Sequence, residues 1–144
     1  MNAMLKTFMA LTLAVSLLTL GASPILASER LVDEKAELAL MPKVPGVEGY
    51  AVAELRIDEA DMLELFRIKV VTAGLVPGGT YTLWWGKYLI ATGIADNNGR
   101  LSFDERITAF HPKCLVGGKI KVFYGTTMEA PKVLFGEIMK SDLK

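Results

Sequence analysis

From Gly49 onward the apolar residues recur at every second position rather than every 3.6. A period of two suits a strand with one buried side, because successive side chains point to opposite faces of a sheet. Ala53, Leu55 and Ile57 alternate with Glu54 and Arg56. Phe66, Ile68 and Val70 then alternate with Arg67 and Lys69 in a long second run over 63–73. Further runs cover 80–85, 88–95, 101–107, 120–124 and 133–139, and the last is followed by a charged tail at 140–144. Val76-Pro77-Gly78-Gly79, Gly86-Lys87, Asp96-Asn97-Asn98-Gly99 and the stretch 125–131 punctuate them with turn chemistry.

Gly86-Lys87 predicts a two-residue type II′ hairpin. That turn pairs Trp85 with Tyr88, Leu83 with Ile90, and Tyr81 with Thr92. One face then holds Tyr81, Leu83, Trp85, Tyr88, Ile90 and Ile94 and is assigned to the core. The other holds Thr80, Thr82, Trp84, Leu89 and Ala91. A second hairpin, turning at Asn98-Gly99, pairs Ile94 with Phe103 and Ile90 with Ile107. Short strands at this spacing, with no long helical pattern, predict one all-β domain, an antiparallel β-sandwich of about seven strands, immunoglobulin-like or dismutase-like.

The chain divides into three parts. Residues 1–27 read as a secretory signal peptide. Lys6 is the only charge there, an apolar run covers 8–20, Pro24 breaks it, and Ala27 stands at the cleavage position. The run is too short to span a bilayer. The expectation is an exported protein, periplasmic or extracellular, with no stable membrane span after cleavage. Residues 28–47 are a charged lead-in, with a frayed helical turn around Asp33-Glu34-Lys35 and a first strand at 36–41. Residues 48–144 carry the sandwich.

Two segments resemble a known pattern. Gly49-Tyr50-Ala51-Val52-Ala53 is followed, after a long strand, by Ala73-Gly74-Leu75-Val76-Pro77-Gly78-Gly79-Thr80-Tyr81-Thr82-Leu83. Together they resemble the CHRD-type and copper/zinc superoxide dismutase-like secreted β-sandwiches, over about residues 36–105. The resemblance implies the fold. It does not imply the activity, because Thr82-Leu83-Trp84-Trp85-Gly86-Lys87 stands where that family places metal-binding histidines.

Few sets of catalytic residues are available. The chain has one His and one Cys, and 16 Lys+Arg balance 16 Asp+Glu. Removing residues 1–27 loses only Lys6, and the balance becomes −1. Such a balance argues against a nucleic-acid partner. No Gly-x-Ser-x-Gly elbow or phosphate-binding Gly-x-x-x-x-Gly-Lys loop occurs. Asp96, Asn98, Asp104 and Glu105 miss calcium-loop spacing, and Asp58, Glu59 and Asp61 read as a solvated turn. The expectation is therefore a non-enzymatic module that binds a protein or envelope component. Its binding patch is Trp84 and Leu89 with Lys87 at the hairpin tip, since exposed Trp marks binding hot spots. The alternative is a thiol or copper site at His111 and Cys114, three apart on one loop, with Met128 as a soft third ligand. A third option is self-association through an edge strand.

Overall fold

The computed structural model describes residues 31–58 and 62–144; the expected signal peptide lies outside them. Eight strands follow one another: β1 (Leu31–Pro42), β2 (Glu48–Asp58), β3 (Leu63–Ala73), β4 (Thr80–Trp85), β5 (Tyr88–Ile94), β6 (Leu101–Arg106), β7 (Lys119–Tyr124) and β8 (Lys132–Glu137). They form one antiparallel sheet in the order β5-β4-β7-β8-β1-β2-β3-β6. β3 neighbours β6 rather than β4, and β4 neighbours β7, so the β3–β4 and β6–β7 connections cross between the halves in the manner of a Greek key.

The expected sandwich is corrected to a nearly closed barrel. Alternation shows that each strand has an inner and an outer face, but not whether two four-stranded halves are joined. β1 joins them. Its first ten residues pair with β2, while Met41 and Pro42 pair with Phe135 and Leu134 of β8. The Lys43 amide then donates to the Val133 carbonyl at 2.9 Å. On the opposite side β5 and β6 approach each other without a ladder and leave a seam. The lead-in is thus part of the barrel. Its charged start is strand rather than helical turn, and the Glu34 carboxylate accepts a hydrogen bond from the Leu115 amide at 3.2 Å.

Both hairpin registers are also corrected. Trp85 faces Tyr88 and Trp84 faces Leu89, as the Gly86-Lys87 turn predicts, with Gly86 at φ 57°. Beyond them β5 carries one extra residue, Ile90, so Leu83 faces Ala91 and Thr80 faces Ile94. The bulge turns Ile94 outward, where it is 66% exposed. The turn at Asp96–Gly99 exists, with the Asp96 carboxylate accepting from the Asn98 and Arg100 amides, both at 2.9 Å. Its two arms do not pair with each other. β5 lies against β4, β6 lies against β3, and the turn bridges the seam. Phe103 and Ile107 are buried as expected, but without ladder partners on β5: Phe103 pairs with Val70 of β3, and its ring lies beside Gly93 of β5.

The core fills the space between the halves. Phe66, Tyr81, Trp85 and Leu134 are buried in one cluster with small residues such as Ala36, Ala51 and Ala53. Phe110, from the β6–β7 loop, packs edge-on to Phe66 and stacks on Tyr88 at 4.3 Å between ring centroids. It covers the hairpin end of the core, which explains how Tyr88 can be exposed and still packed.

The Gly74–Leu83 segment has a local logic. Gly74 holds φ 78°, and a Cβ there would collide with the Gly46 carbonyl oxygen. The buried Tyr81 reaches back, and its hydroxyl accepts from the Val76 amide at 2.8 Å. A tyrosine tied to backbone just upstream fixes how the chain enters β4, as in other sheet-to-sheet corners.

Candidate binding face on the outer side of the barrel

The two halves of the barrel differ in outer chemistry. On β1-β2-β3-β6 opposite charges face each other across strands: Asp33 beside Arg56, Lys35 beside Glu54, Glu54 beside Arg67, and Lys69 beside Asp104. Arg67 donates twice to Asp104, both at 2.8 Å. That fork holds the Asp104 carboxyl below its ordinary range and raises the guanidinium. Glu37 is lowered by hydrogen bonds from Lys35 and Tyr50. This face is neutralised within itself.

The outer side of β5-β4-β7-β8 is different. Following the register across, Leu89, Trp84, Lys121, Phe135 and Met41 form one continuous lateral row over five strands. At the usual strand spacing it spans about 19 Å. The next row holds Thr92, Thr82, Phe123 and Lys132. The row ends are aliphatic and open, with Leu89 50% and Met41 59% exposed. The middle is aromatic and cationic. Lys132 lies over the Phe123 ring at 5.9 Å and the Phe135 ring at 5.1 Å, and Lys43 lies over Phe135 at 5.8 Å.

Trp84 is half-buried and held in place. Its indole N–H donates to the Thr82 hydroxyl at 2.9 Å, which donates in turn to the Gly125 carbonyl at 3.0 Å. Its ring meets Phe123 edge-on. Lys121 donates to the Gly86 carbonyl at 3.4 Å. Its ammonium is pushed below its ordinary pKa, first by burial and then by Lys132 and Lys119. Among the described residues no ion pair reaches Lys43, Lys121 or Lys132.

The structure thus brings Trp84 and Leu89 together and leaves Lys87 exposed at the tip beside them. Sequence reasoning missed Lys121, Phe135, Lys132, Met41 and Lys43. The alternation of Lys119 and Lys121 with Ile120 and Val122 marked the outer side of β7, but only the β4–β7 pairing sets that side next to Trp84.

Of the second group of predicted residues, His111 and Cys114 share the β6–β7 loop and Met128 lies apart. His111 Nε2 lies 3.5 Å from the Glu64 carboxylate, while its Nδ1 is buried without a hydrogen-bond partner. Cys114 is an exposed free thiol whose Sγ lies 3.6 Å from the Val116 carbonyl oxygen. Both precede β7, whereas Met128 follows it in the β7–β8 loop, so the length of that strand separates Met128 from the pair. Among the described residues no three His, Cys, Asp or Glu side chains are grouped as metal ligands, and no helix is long and apolar enough to cross a membrane. Compared with protein-family models and with curated proteins, the chain matches none.

Proposed function

We propose that this is an exported, non-enzymatic binding module that docks a protein or envelope component on the outer face of the β4–β5 hairpin. Trp84 and Leu89 form the contact and Lys87 stands at its edge. The observation that carries this reading is the continuous row Leu89–Trp84–Lys121–Phe135–Met41. An outward row with open aliphatic ends and unneutralised lysines is an unusual surface for a domain to keep without a partner. Kinship with the CHRD-type and dismutase-like folds is part of the same proposal, supported by the Gly74–Tyr81 corner.

The test compares the chain with Leu89→Asp and Trp84→Ala for sedimentation with separated membrane, wall and soluble envelope fractions. Circular dichroism confirms that each variant is folded. The expected result is a loss of at least about tenfold in capture by one fraction, on the scale of an interface hot spot. Equal capture by all three proteins overturns the site.

A second reading places a thiol or copper site at His111 and Cys114. It is supported by the buried, unpartnered Nδ1 of His111 three residues from an exposed thiol. Cuprous-ion titration of the chain, with Cys114→Ser as the comparison, tests it. Identical titration curves exclude it.

A further inference from the structure

The proposed docking role of the outer face can be taken further, because that face constrains the chemistry of what it meets. Two of its aromatic rings already carry cations. Phe123 is buried under the Lys132 ammonium, and Phe135 has ammonium groups of both Lys43 and Lys132 within cation–π distance. Among the described residues of the row, Trp84 alone is an aromatic without a cation over it, whereas single-strand nucleic-acid binders stack successive bases on several rings. What the face offers instead is fixed positive charge in the middle and aliphatic side chains at both sides. Leu89 and Ile94 lie on the β5 side and Met41 on the β1 side. The lysines are held as a group, since the rings position two of the ammoniums and the Gly86 carbonyl positions the third. Acidic side chains stand at the border of the face: Glu137 faces Lys119 across β7–β8, and Glu137 and Asp142 line the groove beside Met41 and Phe135.

We infer that the outer face of β5-β4-β7-β8 binds the surface of an anionic phospholipid bilayer, with Lys43, Lys121 and Lys132 at the level of the lipid phosphates and Leu89, Ile94 and Met41 entering the headgroup region. The inference rests on the docking reading above and names its partner. Ammonium-bearing stems beside apolar side chains match a membrane interface, where charge stays at the phosphates and aliphatic groups go below. Each lysine near an anionic leaflet adds a comparable electrostatic increment, and salt weakens it.

The experiment is cosedimentation of the full chain with vesicles of pure phosphatidylcholine and of phosphatidylcholine containing phosphatidylglycerol, at low and high salt. Residues 1–27 are the same in the parent and in every variant, so the comparison of variants in one vesicle type, rather than the comparison between vesicle types, isolates the outer face. The expected result is binding to the anionic vesicles that falls with salt. Lys43→Gln/Lys121→Gln/Lys132→Gln should weaken it by on the order of a hundredfold. The corresponding triple Arg variant should keep it, which separates lost charge from lost folding.

A triple Gln variant that binds anionic vesicles like the parent chain overturns the inference, as does equal binding of the parent to both vesicle types. Binding of heparin or an oligothymidylate without binding of anionic vesicles also overturns it, in favour of a polyanion in solution. The docking reading survives these results if Leu89→Asp still abolishes capture by an envelope fraction. It fails separately if that variant is captured like the parent.

Discussion

At the scale of single residues, Tyr81 carries more than its volume. Its ring fills the core against Tyr124, stacked at 4.9 Å, and its hydroxyl satisfies the Val76 amide. Tyr81→Phe keeps the ring and leaves that amide without its acceptor. The expected cost is about 1 kcal/mol, read as a lower urea midpoint with unchanged slope. Burial also raises the Tyr81 pKa above its ordinary 10.0. The folded state therefore holds this proton more tightly than the unfolded chain does. Its stabilising effect is complete below pH 10 and is lost as pH climbs toward the folded-state value. A pH series of urea melts should show a shallower alkaline decline in Tyr81→Phe. Asp104 works in the opposite sense, because the Arg67 fork lowers its pKa below 3.8. Its contribution is present above that value and fades as pH falls further. Asp104→Asn should flatten the acid arm of the same series while leaving the alkaline arm alone.

At the scale of elements, turns are the most sensitive points. Gly74 and Gly99 both hold positive φ, and in each case a Cβ would collide with a backbone carbonyl, of Gly46 and of Leu75 respectively. Gly86 also has positive φ but faces open space. Substitution by Ala at Gly86 should cost about 1–2 kcal/mol for the left-handed backbone alone. At Gly74 or Gly99 the loss should be clearly larger, because a backbone neighbour cannot rotate away. Thermal melts of the three variants rank them, and equal losses would show that the collisions relax.

The same elements mark what was legible in the chain. Period two placed seven of the strands and the buried triplet Phe66, Ile68 and Val70. The Gly86 turn fixed the two pairs nearest it. The bulge at Ile90 lay beyond reach, because an extra residue leaves no local signature when its neighbours Leu89 and Ala91 are also apolar. The Asp96–Gly99 turn was legible as a turn. Its failure to make a hairpin was not, since β3 competes for β6 from thirty residues upstream.

At the scale of the whole molecule, a formal charge of zero conceals two unlike surfaces. One half of the barrel pairs its charges across strands, and the other collects lysines over aromatic rings. A sum over the sequence cannot see this, and neither could Trp84 and Leu89 be extended into their full row without the pairing of β4 with β7 and of β7 with β8. The candidate site was therefore legible at one edge only. The seam has its own consequence at this scale. Strands β5 and β6 lack ladder partners on the sides that face it. Amide exchange there should be fast, while β2 and β3, paired on both sides, should be the last to exchange. If copies of the chain associate through β5, as an edge strand permits, those fast amides should become protected as concentration rises.

β1 sits between β2 and β8, so the first strand described and the last are neighbours in the sheet. For a chain delivered N-terminus first, β1 and β2 can meet early, but the joint that turns two half-sheets into a barrel waits for the final strand. Closure of the barrel thereby depends on the C-terminal strand. A copy cut short before β8 is left with bare edges on β1 and β7 rather than a smaller version of the same barrel.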